Sequence, residues 1–357
     1  MALPSSGQIS LGDIANEFGF TDGSSTKLGD YRTTNGQGNY PVSFGALTFN
    51  SIDAQSGGSV PTSGQIKISD FRSTRLQQVV NFYGSGKGGS RLVAKDRYNA
   101  NSSGDVNVIG NYRTRPNNSS GTKVHIHVNQ QIGSEKTRVE HCALRTGSWD
   151  SSTTLQVDVG GSGRIGGAGG DGGRGSDSSN GNSTSGRGGD GTSGLGVQYN
   201  PTTVNVASGG VITAGFGGGG GGGGAYDTDK EGARTASGGG GGGGAGIPAG
   251  AGGAAGFNAG VNGQPGNAGS ISEGGTPGEG GNNDGEAVAG DGGTGGEASD
   301  SADSGVTGQG GEGSTYSPGP AGSPGAAIRK TQSSFTVNVN IASSGSVNGS
   351  QNATTVL

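Results

Sequence analysis

Residues 217–224 form an unbroken run of eight glycines, and a second run of seven occupies residues 238–244. No hydrophobic core can be built from these runs, because glycine has no side chain to bury. Fixing each residue also costs about 1–2 kcal/mol of backbone entropy, and glycine loses more conformational freedom on folding than any other residue. This part of the chain is therefore either disordered or ordered by contacts between backbones.

The spacing of glycine excludes a collagen-like fibre. Most of the 86 glycines in the 357-residue chain lie between residues 161 and 330. Collagen requires glycine at every third position, whereas the spacing drifts here, as at residues 172–175 and 186–189. With 11 residues in the whole chain, proline is also too sparse for collagen.

The charge pattern and the cysteine content narrow the function classes. All charged residues between positions 261 and 318 are acidic, whereas a nucleic-acid footprint would be basic, so we expect no nucleic-acid partner. Cys142 is the single cysteine, which excludes an intramolecular disulfide. The first residues lack a secretory signal, and no apolar run is long enough to span a membrane. We expect a soluble protein that is made in a cytoplasm.

An internal repeat marks the N-terminal part of the chain. The sequence Ser-Gly-Gln-Ile-Ser-Leu-Gly-Asp-Ile at residues 6–14 recurs as Ser-Gly-Gln-Ile-Lys-Ile-Ser-Asp-Phe at residues 63–71, with a weaker echo at residues 25–32. In the first copy, apolar residues at helical spacing predict a short helix over residues 11–18. The repeats either only close a small core, or they form a docking module at residues 1–78 that mounts the protein on a larger assembly.

Residues 79–160 have an ordinary composition and predict an antiparallel β domain. Short alternating runs bounded by Gly, Asn and Ser clusters are typical of a sandwich. Within one such run, Val124, Ile126 and Val128 should face the core, because successive strand residues point to opposite faces. The predicted strands cover residues 79–83, 91–94, 105–109, 123–128, 137–140 and 154–159.

His125 and His127 lie on the opposite face of that strand, with His141 and Cys142 a strand away. Histidines at positions i and i+2 can chelate a transition metal. We favour the alternative, an exposed polar sheet face or a trimer axis in a fibre, and therefore expect no metal and no cofactor. No nucleophile elbow, phosphate loop or paired-carboxylate motif is present, so we expect no enzyme. Metal-assisted glycan hydrolysis in this domain is the least favoured alternative.

A recurring pattern interrupts the glycine-rich region. Alternating strands at residues 153–159, 202–206 and 335–341 are each followed by a Ser/Gly turn and a short apolar step. A disordered linker has no need for such half-buried strands. Glycine segments can instead form extended helices with three residues per turn and no internal hydrogen bonds. Such helices would bond laterally through their free N–H and C=O groups.

The predicted fold class is therefore mainly β with extensive irregular structure. A small N-terminal module at residues 1–78 precedes the antiparallel β domain at residues 79–160, and a polyglycine II helix sandwich occupies residues 161–357. Loops at the ends of rigid rods would carry the function. A disordered, glycine-rich matrix or wall protein is the alternative to this ordered lattice.

Two sets of motifs resemble those of tailed-phage proteins. The opening Gly-Gln-Ile-Ser-Leu-Gly-Asp-Ile at residues 7–14 resembles the N-terminal region of tail-fibre and receptor-binding virion proteins. From residue 160 onward, the strand, the Gly-x-Ile/Val-x-Gly step, the long glycine runs and the closing Ala-Ile-Arg at residues 327–329 resemble the glycine-rich adhesins of phage fibre tips.

This resemblance implies a polyglycine II sandwich that binds a host-cell-surface protein or glycan through the loops between its helices. It also implies a place in the virion tail after synthesis in the host cytoplasm, with residues 1–78 attached to other tail or fibre proteins. A monomer and a homotrimer both remain open. The alternative function is that of a structural or connector protein of the tail that binds no receptor.

Aromatic residues at the predicted loop tips are the candidate receptor contacts, because aromatic side chains are frequent binding anchors. The candidates, including two acidic residues of the predicted turn at residues 226–234, are Tyr199, Tyr226, Asp227, Asp229, Phe257 and Tyr316. Alternatively, Tyr199 and Phe257 pack against the edge of the lattice.

Overall fold

The computed structural model describes residues 3–17, 28, 43–44, 47–48, 52–54, 60–61, 64–99, 106–109, 123–150, 153–177, 184–229, 232–257, 260–284, 287–298, 300, 309–310 and 314–356. Its α-helices are α1 (Leu11–Glu17) and α2 (Ala94–Asn99), and a 3-10 helix covers Ile68–Phe71. The strands of the N-terminal part are β1 (Ser43–Phe44), β2 (Leu47–Thr48), β3 (Ile52–Ala54), β4 (Thr74–Phe82), β5 (Leu92–Val93), β6 (Val106–Ile109), β7 (Lys123–Val128), β8 (Gln131–Gly133), β9 (Cys142–Arg145) and β10 (Thr154–Val159). Those that follow are β11 (Arg164–Gly166), β12 (Ser193–Val197), β13 (Thr202–Val206), β14 (Val211–Thr213), β15 (Ala225–Asp229), β16 (Gly232–Ala236), β17 (Asn282–Asn283), β18 (Ala287–Val288), β19 (Gln309–Gly310), β20 (Ser314–Thr315), β21 (Ile328–Lys330), β22 (Val337–Ile341), β23 (Ser346–Asn348) and β24 (Ala353–Thr354).

Three parallel sheets wind around one core as a β-helix. One face has the strand order β22-β13-β10-β7-β4, the second β23-β14-β11-β8 and the third β24-β21-β12-β9-β5. The chain visits the faces in turn, so that β7, β8 and β9 make one turn of the β-helix and β10, β11 and β12 make the next. Each strand therefore pairs with its counterpart one turn later, in parallel and in register.

The prediction of an antiparallel domain is wrong. Strands β4, β7, β10, β13 and β22 pair in parallel, and among the pairs made by β4 only those with β3 and β6 are antiparallel. Alternation of apolar and polar residues is the same for both orientations, so the pattern predicted strands and not their direction. The mainly β class is nevertheless confirmed, because sheets carry most of the regular structure.

The core of the β-helix is built by the apolar residues of these alternating strands. Val124, Ile126 and Val128 of β7 are fully buried, as predicted. The strands predicted at residues 123–128 and 154–159 are confirmed as β7 and β10. The segment predicted as a strand at 137–140 is a turn, and the short strands β8 and β9 on either side of it were not predicted.

The β-helix crosses both boundaries that the sequence suggested. β4 runs through residue 78, and β10, which ends before residue 160, pairs with β13 beyond it. The glycine-rich segments are insertions that leave the β-helix after β11 and again after β14, and return to it at β12 and β21. The change in composition marks the start of an insertion and not the end of a domain, because the chain returns to the same sheets after each insertion.

The N-terminal repeats surround a separate small core. α1 confirms the predicted helix over residues 11–17, and Phe18 lies outside the described residues. The core residues are Leu3, Ile9, Ile14, Val60 and Phe71. Leu3 N–H donates to the carbonyl oxygen of Thr74 at 2.8 Å, at the start of β4. This bond joins the small core to the first turn of the β-helix.

The glycine segments lie side by side and bond to one another through their backbones. We call this assembly the glycine lattice; its segments are residues 167–176, 186–192, 214–224, 237–247, 248–256, 261–270, 274–281, 289–297 and 317–326. Bonds between two given segments recur at every third residue, as when Gly170, Gly173 and Ser176 donate to Phe216, Gly219 and Gly222. This is the period expected of an extended helix with three residues per turn.

The segment at residues 237–247 lies at the centre of the lattice. Ten consecutive backbone N–H groups, from Gly238 to Ile247, donate to neighbouring carbonyl oxygens at 2.7–3.1 Å. Successive donors point to three different neighbours, the segments 167–176, 289–297 and 261–270. Three further segments donate to its carbonyl oxygens, namely 214–224, 248–256 and 274–281. Six neighbours thus enclose one rod, and the second glycine run forms most of that rod.

Aspartates complete the hydrogen bonding at the edges of the lattice. Asp171 and Asp190 each accept a backbone N–H of the adjacent segment through Oδ1 at 2.7 Å, from Ala251 and Ser323. Asp291 accepts the N–H of Gly280 in the same way at 2.8 Å. An edge segment has no neighbour on one side, so a side-chain carboxylate replaces the missing carbonyl oxygen. This accounts for part of the acidic bias of the glycine-rich region.

Candidate functional site

The two ends of the glycine lattice have different surroundings. Most neighbouring segments run in opposite directions, and their connections therefore gather at two ends. One end adjoins the β-helix, because the chain leaves β11 at Gly166 and enters β12 at Ser193 there. At the opposite end, which we call the distal end, the rods pass into the strands β15 to β20. The distal end is where the lattice carries side chains away from the β-helix.

Two small antiparallel sheets form the distal end. One has the order β16-β15-β20 and the other β17-β18-β19. Their bases meet in a cluster of buried alanines, Ala225, Ala236, Ala287 and Ala289. In the rods directly below this cluster, even a Cβ at Gly222 or Gly238 would overlap a neighbouring carbonyl oxygen. The segment predicted as an exposed turn at residues 226–234 is thus a hairpin, β15–β16, seated directly on the lattice.

Tyr226 lies in β15, and Tyr316 directly follows β20, the strand that pairs with β15. Tyr226 pairs in register with Ser314, and Tyr316 donates its backbone N–H to the carbonyl oxygen of Gly224 at 3.1 Å. Both tyrosines are half-buried. The first sheet therefore holds these two predicted contacts on a hydrogen-bonded frame.

Phe257 is the most exposed large apolar residue of the described chain, with 71% of its surface accessible. Its backbone N–H donates to Oδ1 of Asp177 at 2.7 Å, which fixes the segment to a neighbouring rod. Val261, 39% exposed, follows where the next rod begins beside β16. Both side chains are exposed at the distal end, and we refer to Phe257 and Val261 together as the apolar patch. Val261 was not predicted, because a single valine among polar residues gives no signal in sequence.

Asp227 is buried rather than exposed. It is 4% exposed and lies on the same face of β15 as Ala225, opposite Arg234 of β16. Within the described residues, its Oδ1 has no hydrogen-bond partner. An unpaired buried carboxylate oxygen is costly, so Asp227 is a buried polar group two residues beyond Ala225 of the alanine cluster. Asp229 ends β15, and its side chain lies outside the described part of the chain.

Tyr199 lies away from the distal end. It follows β12 and packs against the core of the β-helix, and its hydroxyl donates to the carbonyl oxygen of Asp150 at 3.1 Å. The structure thus brings Tyr226, Asp227, Phe257 and Tyr316 to one end of the lattice and leaves Tyr199 on the β-helix.

The prediction of an exposed polar face at His125 and His127 is wrong. His125 is 6% exposed and His127 is fully buried, on the outer face of β7. Nδ1 of His125 lies 3.1 Å from Oδ2 of Asp158, and Asn205 donates to Oδ1 of Asp158 at 2.7 Å. Alternation separates the two faces of a strand, but it does not indicate whether the second face is covered.

The pKa values of His127 and Asp158 reflect the burial of both side chains. Burial lowers the pKa of His127 to about 4, although the negative charge of Asp158 opposes the shift. Burial alone would raise the pKa of Asp158, but hydrogen bonds from His125, Asn205 and Gln156 outweigh it and keep that pKa below its usual value. Burial also raises the pKa of the Cys142 thiol to about 12.

The described residues hold neither a metal-binding cluster nor a membrane-spanning helix. Across the ranges given above, no group of three or more His, Cys, Asp or Glu side chains is arranged to hold a metal ion. No helix in those ranges is both long enough and apolar enough to cross a bilayer.

Comparison with known proteins relates the chain to one family. A family model described as "Phage tail fibre adhesin Gp38" matches residues 97–352. Among solved structures, a similar chain comes from the gp37-gp38 adhesin tip complex of the long tail fibre of bacteriophage S16; it shares 17% identity with a TM-score of 0.30, and the match covers 81% of this chain and 88% of that one. No curated protein matches the chain.

Proposed function

The chain belongs to the phage tail fibre adhesin Gp38 family, and on that premise we propose that its distal end binds a receptor on the surface of the host cell. Members of this family are adhesins of the phage tail fibre, which puts the protein in the virion tail. An adhesin needs to hold a partner and requires no chemical step, in agreement with the lack of catalytic motifs in the sequence.

The observation that carries this proposal is the exposed patch of Phe257 and Val261 beside the first distal sheet. The patch and the half-buried Tyr226 and Tyr316 lie at one end of the lattice. Phe257 is tied to the lattice by the bond from its N–H to Asp177, and Tyr226 is held by the pairing of β15 with β20. These residues are therefore held in place before binding, which reduces the entropy lost on association. The receptor is a surface protein or a glycan with an apolar face that covers the patch.

We assign the rods of the lattice to polyglycine II helices. Hydrogen bonds at every third residue and donors that point to three neighbours in rotation support this assignment. The lattice then acts as the scaffold, and the segments between its rods determine which receptor is bound.

We further propose that residues 1–78 attach the adhesin to other proteins of the tail fibre. The S16 structure is that of a complex between gp37 and gp38, and an equivalent fibre partner is expected here. Without receptor binding, the same position in the virion would suit a connector protein, which is the alternative function.

Competition for host cells tests the receptor proposal. The purified chain should inhibit adsorption of its phage, and Phe257→Ser should weaken that inhibition by about tenfold or more, because an exposed anchor is lost. Ile271→Ser is the matched control: this isoleucine is 45% exposed but lies at the end of the lattice near the β-helix. Equal inhibition by both variants would contradict the assigned surface, and no inhibition by the unaltered chain would favour the connector.

A further inference from the structure

The β-helix and the end of the glycine lattice nearest to it enclose a cleft of about 230 Å³. One side of this cleft is the outer face of the sheet β23-β14-β11, and the other side is made by the ends of lattice segments. The apolar patch lies at the opposite end of the lattice and contributes no residue to the cleft. The cleft is therefore separate from the distal end.

Two rows of side chains across the sheet form the floor of the cleft. Arg164 of β11, Val211 of β14 and Ser346 of β23 lie in one row. Thr213 and Asn348 lie in the next row that faces the same way. Successive strand residues point to opposite faces, so both rows point outward while the residues between them belong to the core. The floor offers one guanidinium, two hydroxyls and one carboxamide.

The lattice supplies the apolar side of the cleft. Phe216 and Ile247 line it, and both are almost fully buried. The N–H of Ile247 donates to the carbonyl oxygen of Gly167 at 2.7 Å, and its own carbonyl oxygen accepts the N–H of Ser134 at 3.0 Å. These bonds tie the apolar side to the β-helix, so the cleft is formed before any ligand enters, as is usual for small-molecule sites.

Among the residues that line the cleft, Arg164 is the single charged one. It is exposed, and across the described ranges its guanidinium pairs with no carboxylate. The arginines of the lattice differ, because Arg174 pairs with Asp177 and Arg187 with Asp190, both at 2.5 Å. The cleft is therefore positive, next to a region whose charged residues from 261 to 318 are all acidic, and its charge favours an anion.

The chemistry of the lining narrows the class of anion. A fatty acid would cover the hydroxyls and the carboxamide of the floor without offering them partners, which is costly. An amino acid would need a carboxylate for its ammonium group, and none is found among the lining residues. A phosphate monoester carries nearly two negative charges at neutral pH, whereas the floor supplies one positive charge. A single carboxylate on a ring with several hydroxyls matches the lining in every respect.

We propose that this cleft binds one hexuronic acid unit of an acidic glycan. The carboxylate pairs with Arg164, whose planar guanidinium suits it. The ring hydroxyls bond to the polar groups of Ser346 and Asn348, and the C–H face of the ring lies against Phe216. Pockets for drug-sized ligands begin at about 300 Å³, so the smaller cleft suits a single sugar ring. This proposal goes beyond receptor binding at the distal end and does not depend on it.

Calorimetric titration of the full chain with the methyl glycosides of glucuronic and galacturonic acid tests the proposal. At least one of them should bind, and the neutral methyl glycosides of glucose and galactose should bind about tenfold more weakly or worse, because they lack the carboxylate. Arg164→Gln should weaken binding of the uronide by about tenfold or more, because it removes the charge-assisted bond. Arg187→Gln is the matched control, since it makes the same change at an exposed arginine outside the cleft, and it should bind normally.

A second variant tests the position of the site without removing a charge. Ser346→Phe places a large side chain on the floor of the cleft and should abolish binding of the uronide. Ile271→Ser changes only the rim and keeps the guanidinium and the polar floor, so it should bind normally. Phe257→Ser should also bind normally, because Phe257 lies at the distal end. Circular dichroism shows that each variant is folded.

The outcomes separate this site from the distal one. Equal binding of neutral and acidic glycosides contradicts an acidic ligand, and binding that survives both Arg164→Gln and Ser346→Phe contradicts the cleft. No binding of either uronide by the unaltered chain contradicts the proposal as a whole, and leaves receptor binding at the distal end to its own test. Loss of uronide binding in Phe257→Ser would contradict two separate sites.

Discussion

Replacing Gly242 with alanine is expected to lower the free energy of unfolding by about 3 kcal/mol or more, at the upper end of the range for overpacking. Gly242 belongs to the central rod, and a Cβ there would overlap the carbonyl oxygen of Gly275 and approach the backbone of Gly295. Both neighbours are backbone atoms held by their own hydrogen bonds, so neither can move without breaking others. Chemical denaturation followed by circular dichroism measures the change.

Gly88→Ala is the matched control for that substitution. Gly88 is exposed, has no positive φ and would place its Cβ at least 4 Å from other atoms. The control should change the stability by less than about 0.5 kcal/mol, as is usual for surface substitutions. If both variants are equally stable, the central rod is not packed as described.

Acidification is expected to weaken the fold as His127 becomes protonated. The pKa of His127 is lowered to about 4 in the folded chain, whereas an unfolded chain has a histidine pKa of about 6.5. The unfolded state therefore binds the proton first, and stability falls as the pH drops from about 6.5 towards 4. Between about pH 7.5 and about pH 4.5, the expected loss in unfolding free energy is on the order of 2–3 kcal/mol.

His127→Asn should remove this loss from the pH profile. Asparagine does not titrate. It already occupies positions 81 and 205, which lie in one row with His127 and Asp158 across neighbouring strands of the same sheet. The comparison uses the change in unfolding free energy between the two pH values, so an effect of the substitution at neutral pH does not interfere. An unchanged slope in the variant would show that His127 is not the group responsible.

Below about pH 4 a second group should contribute. The pKa of Asp158 lies below its usual value, so the folded state favours its charged form, and that stabilisation is present above the pKa of an unfolded aspartate. It is lost as the pH falls further and the carboxylate is protonated. The two losses follow one another, first from the histidine and then from the aspartate.

The sequence was sufficient to predict order in the glycine region and the positions of several strands. The strands at residues 153–159, 202–206 and 335–341 recur because each lies on the same face of successive turns of the β-helix. Their parallel direction could not be read from alternation, and the three-residue strands β8 and β11 are too short to give a pattern. Nor can a run of glycines indicate which other segments surround it.

The candidate site was predicted less completely, because the surroundings of a side chain depend on segments that are distant in sequence. Tyr226 and Tyr316 were recognised as aromatics between glycine runs, and the structure brings them together through β15 and β20. Asp227 was expected to be exposed, although the alternation from Ala225 onward would have put it on the inner face of a hairpin. Tyr199 resembles a loop residue in sequence, and only the β-helix core beside it shows why an aromatic is present.

Hydrogen exchange of the backbone amides at residues 238–247 tests the central claim, that a glycine run forms an ordered scaffold for the distal end. All ten N–H groups donate to other segments, so all should be protected to about the same degree as those of β10. Exchange at the rate of an unstructured peptide across this segment would contradict the account, because a disordered run could not hold the distal residues in place.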